Sequence, residues 1–286
     1  MVYKYKVSLC VVIKNEKDYM DEFLEHYIGQ GVDQIYIINN NSTDNIEYYI
    51  RNHKYSDKIT LINDNTDMKY TSNNCSNIHK EILDKNLYHI LKEETEWAMI
   101  VDMDEFITGK NGYTISSYID SLNSDVNAVY IYWSIIQPLL DNERNVSESF
   151  SIKKSRKRIN LDLFDKISGD IVWASKFGKS LFRTCALIEE RKFWIHKVPI
   201  FGKRITNYNT VSTSWYDNVD DIDFTEENYN KLNIVLNHYA IRDRKDYLKR
   251  CETMRTTDND TKRFYSQALI NICSLSDEYL VDDFVI

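Results

Sequence analysis

No stretch restricts the fold of this chain more than Trp97-Ala98-Met99-Ile100-Val101-Asp102-Met103-Asp104-Glu105-Phe106. It begins as a compact apolar run, preceded by Glu93, Glu94 and Glu96 and too short to span a membrane. It ends in three acidic residues within four positions. That pattern predicts a buried strand delivering carboxylates to its C-terminal edge.

Asp102 and Asp104 lie two apart, so in an extended segment both point to the same side, within reach of one cation. Hard oxygen ligands of this kind suit Mg2+ or Mn2+. Two like charges held together at a low-dielectric edge are costly unless a metal or hydrogen-bond donors offset them. The same spacing also suits a helix N-cap or a solvated turn after the strand, so residues elsewhere in the chain have to decide.

With only 2 prolines and 7 glycines there is little room for a flexible linker, and residues 1–286 are expected to form one α/β domain. The net charge of −8 argues against a nucleic-acid partner. Cys10, Cys75, Cys185, Cys251 and Cys273 contain no Cys-x-x-Cys pair, so they frame neither a disulfide scaffold nor a zinc site. Buried thiols in a reducing compartment are expected. Met1 to Lys6 carries no signal-like apolar region and no run reaches transmembrane length, which predicts a cytoplasmic chain. The sequons at Asn40, Asn41, Asn74 and Asn145 are then expected to stay unglycosylated.

Taken in order, Val7 to Ile13 is a β-branched run that stops at the polar Lys14-Asn15-Glu16. An amphipathic helix with Tyr19, Phe23, Tyr27 and Ile28 on its apolar face follows, ending at Gly29 to Gly31, and Gln34 to Ile38 makes a second strand. This is a βαβ pattern. The second strand ends in Asn39-Asn40-Asn41-Ser42-Thr43-Asp44, where Ser42 or Thr43 suits the N-cap of a helix carrying Ile46, Tyr49 and Ile50. The amides and hydroxyls there suit a base or ribose equally well. Ile59 to Ile62 is a third strand, and a helix from about Ser76 to Glu93 returns the chain to Trp97. Three polar loops thus follow three strands and should converge on one edge of a mostly parallel sheet.

Beyond Phe106 the pattern loosens. Thr114 to Leu122 reads as helix, Ala128 to Trp133 as strand and Asn142 to Ser151 as loop. The basic cluster Lys153 to Arg158 reads as a solvated or disordered face, or as a surface for a diphosphate or anionic lipid. Trp173 to Arg183 and Trp194 to Pro199 set cations beside aromatics, and Leu232 to Tyr239 is a strand with a histidine at its polar end. Two helices, Arg242 to Glu252 and Phe264 to Cys273, follow.

The ordered set Ile13-Lys14-Asn15-Glu16 with Glu22 and His26-Tyr27, Gly31-Val32-Asp33, Ile37 to Asp44, Asp102 to Phe106, and Asn237-His238-Tyr239 spans nearly the whole chain. In that order it resembles GT-A-fold glycosyltransferases, and more narrowly family 92 and its bacterial family 2-like relatives. The resemblance implies an α/β, Rossmann-like, mostly parallel sheet with flanking helices and a less regular C-terminal half. Residues 1–108 would be the nucleotide-sugar-binding half and 109–286 the acceptor side. A UDP-sugar donor is implied, with UDP-galactose favoured by the family 92 likeness. Asp104 and Asp102 would hold Mn2+ or Mg2+ on its diphosphate, and His238 would contact the same metal. Lys14, Asn15 and Glu16, with Asn39 or Asn40, would line the nucleoside pocket. Family 2 relatives commonly carry aspartate at the positions of Asn39 and Asn40, so here base or ribose would meet uncharged amides.

The resemblance also implies an inverting displacement through an oxocarbenium-like transition state. Such a site must neutralise a departing diphosphate and deprotonate an acceptor hydroxyl. Lys179 or Arg183 can serve the first task, and His196 and Asp170 are the candidates for the base. The expected acceptor is a glycan or lipid-linked glycan of surface polysaccharide synthesis, with peripheral membrane contact permitted by the basic cluster. His26, His53, His79 and His89 sit on predicted helices without carboxylate partners at ligand spacing and are expected to be structural or surface residues. An Asp-x-Asp-x-Thr phosphatase is disfavoured by Phe106, which follows Glu105. A non-catalytic nucleotide- or carbohydrate-binding protein with the same fold is the remaining alternative, against which the intact acid pair stands.

Overall fold

The computed structural model describes residues 2–66, 75–141, 145–154, 156–167, 176–189, 193, 196, 198–212, 222–256 and 260–283. Strand β1 (Tyr5–Ile13) leads through α1 (Met20–Gly29) to β2 (Gln34–Asn39), and α2 (Ile46–Arg51) leads to β3 (Ile59–Asn63). Helix α3 (Cys75–Glu94) then returns the chain to β4 (Thr95–Val101). These four strands are parallel, in the order β3, β2, β1, β4. Ile13 pairs with Asn39, and Asn39 with Asn63, so the strands end flush and their loops meet at one edge.

Side chains on a strand alternate between its faces, and both faces here are covered. Leu9 and Val11 of β1 join Phe23 and Tyr27 of α1 in one core, while Cys10 joins Ile82, Leu87 and Leu91 of α3 in the other. The second half is mixed. It contains β5 (Glu105–Gly109), α4 (Ile115–Ser121), β6 (Val126–Ile135), β7 (Arg156–Ile159), β8 (Gly178–Arg183), β9 (Lys203–Thr206) and β10 (Val211–Ser212). After these come α5 (Glu226–Asn230), β11 (Ile234–His238), α6 (Arg244–Thr256), α7 (Asp260–Cys273) and β12 (Leu280–Asp283). Strand β8 runs antiparallel between β4 and β6, and β9 and β10 extend that edge. Strand β11 pairs with both β5 and β6. The expected α/β, Rossmann-like GT-A architecture is therefore present, its parallel half followed by a less regular one.

Three local expectations change. Helix α2 begins behind Asn45, whose left-handed φ of 58° sets the turn, not behind Ser42 or Thr43. Those two residues instead join the β1 loop: the Asn15 N–H donates to Ser42 Oγ at 3.0 Å, and the Thr43 N–H to Asn15 Oδ1 at 2.7 Å. The basic cluster is a solvated face only at its start, where Lys153 and Lys154 are exposed. Its last part is β7, in which Arg158 is buried, forks onto Glu226 at 2.7 and 2.5 Å and stacks on Tyr229. Lys153 reaches Glu25 and Lys157 reaches Asp277, each at 3.0 Å. Among the described cysteines Cys10 is buried, whereas Cys185 is exposed and Cys251 and Cys273 are half-buried.

Helix α4 starts with a reciprocal cap, in which Thr114 Oγ1 accepts the Ser117 N–H and Ser117 Oγ accepts the Thr114 N–H. Thr114→Ala should cost about 1 kcal/mol, read as a lower urea midpoint with an unchanged slope. No helix among the described residues is long and apolar enough to cross a membrane.

Candidate active site

After β4 the backbone does not stay extended. The Glu105 N–H donates to the Asp102 carbonyl at 3.1 Å, closing a turn over residues 102–105. The segment that carries the two aspartates is thus a turn and not the extended stretch expected, and the charge of Asp104 still bears on Asp102. Asp102 meets Lys179 of β8, with Nζ 2.7 Å from Oδ2, whereas Asp104 faces His238 of β11, Oδ2 to Nε2 being 3.6 Å.

Lys179 is 0% exposed, and its second partner is Glu105 at 3.3 Å. Glu105 is equally buried and accepts two further N–H groups, from the Asp102 backbone and from Trp133 Nε1, each at 2.7 Å. Burial raises the Glu105 carboxyl towards neutrality, against the pull of Lys179. Burial also raises Asp102, but Lys179 outweighs it and holds that carboxyl below its ordinary value. Glu105 thus orients its neighbours from inside the core. The Trp133 ring lies 4.1 Å from that of His238 and 5.4 Å from that of His196.

Pairing of β11 with β5 sets His238 opposite Glu105, and the Tyr239 N–H donates to the Asp104 carbonyl at 2.8 Å. This long-range contact brings His238 beside Asp104. Arg250 of α6 approaches Asp104 Oδ2 at 3.9 Å. Burial opposes ionisation of Asp104, yet His238, Arg242 and Arg250 together hold it well below the usual carboxylate range.

A cavity of about 570 Å3 opens at the end of β1, lined by Val12, Ile13, Lys14, Asn15, Glu16 and Tyr19 and, from the C-terminal side, by Arg242, Lys245, Asp246 and Lys249. Asn15 takes a left-handed φ of 60°, stabilised by its contacts to Ser42 and Thr43. Arg242 is the post between the two walls. It is buried, lies over the Tyr19 ring at 3.7 Å, and bonds Glu16 at 2.7 Å and Asp246 at 2.6 Å. Tyr19 in turn donates to Asp243 at 2.6 Å.

Of the residues singled out by sequence, Lys14, Asn15 and Glu16 line this cavity, while Asp104 and His238 sit together. Asn39 and Asn40 are buried and brace the loop: Asn39 bonds Asn63 and the Ser42 N–H, and Asn40 donates to the Asp64 and Thr66 carbonyls. His196 bonds the Gly178 carbonyl at 3.2 Å, and burial together with the charge of Lys179 lowers its pKa to about 3. Asp170 lies outside the described residues. Arg183 pairs with Glu96 at the far end of β4, away from the acid turn. Glu22 and His26 belong to the scaffold, binding the Ile152 N–H and the Ile107 carbonyl respectively. The residues that sequence reasoning missed are Arg242, Lys245, Asp246 and Lys249. The signal was an arginine directly after the apolar Tyr239-Ala240-Ile241 with acids at Asp243 and Asp246, which is the pattern of a buried, paired cation.

The donor set fits a divalent ion at two positions. Asp104 Oδ2 and His238 Nε2 face each other at 3.6 Å, long for a hydrogen bond, and would offer a divalent ion one hard oxygen and one imidazole nitrogen. No group of three His, Cys, Asp or Glu ligands is placed together among the described residues. This set suits an ion that brings phosphate and water ligands with it, as Mg2+ does at nucleotide sites.

The model of glycosyltransferase family 92 matches residues 5–272. Among solved structures, S. aureus TarS aligns at 18% identity over 63% of this chain, with a TM-score of 0.34. The alignment spans 29% of the TarS chain. TarS 1–349 in complex with UDP aligns at 16% identity over 96% of this chain and 73% of that one, with a TM-score of 0.38. HddC from Yersinia pseudotuberculosis aligns at 16% identity over 87% and 99%, with a TM-score of 0.37. No curated protein matches the chain. At these distances the solved structures say nothing about its ligand.

Proposed function

The chain belongs to glycosyltransferase family 92, and from that premise we propose that it moves a sugar from a UDP-linked donor to a glycan hydroxyl in a divalent-metal-dependent, inverting reaction. The observation that carries this reading is the Asp104–His238 pair, which a helix shared with the cationic cavity at the end of β1 approaches through Arg250. Asp104 and His238 would hold the ion. Bound there, it supplies Lewis-acid neutralisation of the leaving diphosphate.

The protein's own residues do the rest. Val12, Ile13 and Tyr19 offer the donor an apolar wall, and Lys14, Lys245 and Lys249 offer ammonium groups to its phosphates. The acceptor oxygen forms its bond to the anomeric carbon as the bond to the diphosphate breaks, and the hydroxyl proton passes to a base. His196 is neutral near pH 7, but with a pKa of about 3 its basicity is poorly matched to that task. Galactose is the first donor sugar to test.

UDP release from a panel of UDP-sugars, with Mn2+ and with EDTA, tests the reading. A wild-type protein that neither binds UDP nor releases it from any donor ends it. Lys245→Gln with Lys249→Gln should weaken UDP binding about tenfold and flatten its dependence on salt, measured by calorimetry, because two ammonium–phosphate contacts at a partly exposed site are removed.

A further inference from the structure

In a single displacement the acceptor oxygen reaches the anomeric carbon from the side opposite the departing diphosphate. The sheet fixes which side that is. Strands β1, β4, β8 and β6 lie next to one another in the order β6, β8, β4, β1. At one edge the end of β1 carries the cationic cavity, the end of β4 the acid turn, and the start of β8 with the end of β6 a group of aromatic rings. We propose that Trp133, Phe177 and His196 form a platform on which the acceptor's sugar ring packs through its apolar face, across the acid turn from the donor cavity. The proposal rests on the transferase reading above and adds the place and the chemistry of the acceptor subsite.

The rings touch one another. Trp133 lies 5.6 Å from Phe177 and 5.4 Å from His196, and those two are 5.2 Å apart. Each is held from behind. Trp133 donates through Nε1 to Glu105 at 2.7 Å and stacks on His238 at 4.1 Å. Its backbone N–H donates to the Phe177 carbonyl at 2.8 Å, and His196 Nδ1 donates to the Gly178 carbonyl at 3.2 Å. Gly178 lets β8 approach β6 this closely, since a Cβ there would lie 2.0 Å from the Ile131 carbonyl oxygen. Trp133 is buried whereas Phe177 and His196 are half-buried, so the aromatic surface runs from the core out to solvent.

An aromatic face carries negative charge density and attracts the partly positive C–H groups of a pyranose ring, while polar partners take the ring's hydroxyls. One such partner stands beside the platform. The Asp102 side chain is 48% exposed, and His196 is near enough for their charges to interact. Its carboxylate can accept a sugar hydroxyl. Rings locked in this way have little freedom left to lose when a sugar arrives.

Saturation-transfer NMR decides the matter, with the methyl glycosides of galactose, glucose and N-acetylglucosamine as probes and the protein saturated with UDP and Mg2+. UDP fills the donor side without bringing a sugar, so a glycoside that receives saturation on its ring C–H protons sits elsewhere. Phe177→Ala should weaken that binding about tenfold while UDP affinity stays within about twofold of wild type. Phe177→Trp should retain the binding, and Phe177→Leu, which keeps apolar bulk but has no π face, should not. Glycoside affinity unchanged by Phe177→Ala would overturn the proposal, as would a wild type that binds none of the probes. Thermal melts show which variants are folded; should Phe177→Ala not be, the contrast between Phe177→Leu and Phe177→Trp decides, and equal binding by those two overturns the proposal. Failure of the donor reading shows separately, as absence of UDP binding by wild type, and the variants are then compared without UDP.

Discussion

Asp104→Asn is expected to lower kcat/KM for the proposed UDP-sugar donor by about 100- to 1,000-fold, because the carboxylate would be one of two protein groups holding the proposed ion, and such an ion would contribute several kcal/mol to the transition state. The fall should lie mainly in kcat, since neutralisation matters most as the diphosphate departs. Folding should survive. Asp104 holds the β5–β11 corner through its backbone carbonyl, which accepts the Tyr239 N–H at 2.8 Å and is unaffected by the change. Its side chain also carries attraction from His238, Arg242 and Arg250, so some stability is lost, and a thermal melt measures how much. Rates of UDP release at saturating Mn2+ check the main effect. Activity within tenfold of wild type would remove Asp104 from the reaction.

The parallel half of the sheet is legible in the sequence because its strands are short β-branched runs covered on both faces, each broken by a polar loop. The convergence of Lys14 to Glu16 and Asn39 to Asp44 on one sheet edge follows from that pattern, and the register of β1 with β2 then sets Ile13 opposite Asn39. The second half is less so. Strand β7 reads as a basic cluster, because Arg158 is made a core residue by Glu226, 68 positions away. The acid turn is legible as a ligand edge, but its division is not: Lys179 and His238 arrive on β8 and β11, whose pairings leave no local trace. Glu105 cannot be assigned from sequence for the same reason, since its role is set by Trp133 and Lys179.

Arg242→Met is expected to produce the largest loss of stability among single changes around the cavity. The guanidinium is buried and bonds Glu16 and Asp246, whose side chains are 20% and 16% exposed. Removing it leaves two largely buried carboxylates facing each other, and breaking a buried pair in this way costs roughly 3–5 kcal/mol. Burial already raises Glu16, and only Arg242 opposes that rise, so in the variant this carboxyl should take up a proton at higher pH. A group whose folded pKa is raised further above its unfolded value contributes stability below the unfolded pKa and loses it as pH rises through the folded one. The defect of Arg242→Met should therefore shrink on acidification from pH 7 to pH 5. Glu16→Gln added to Arg242→Met should recover part of the loss at pH 7 by removing one unpaired charge. The effect also reaches the site, because Arg242 joins the β1 loop to the segment that carries His238 and α6. Donor KM should rise in the single variant even where it remains folded. Urea unfolding at both pH values, with KM at pH 7, tests these expectations; a pH-independent defect would show that Arg242 acts by packing on Tyr19 and not by charge.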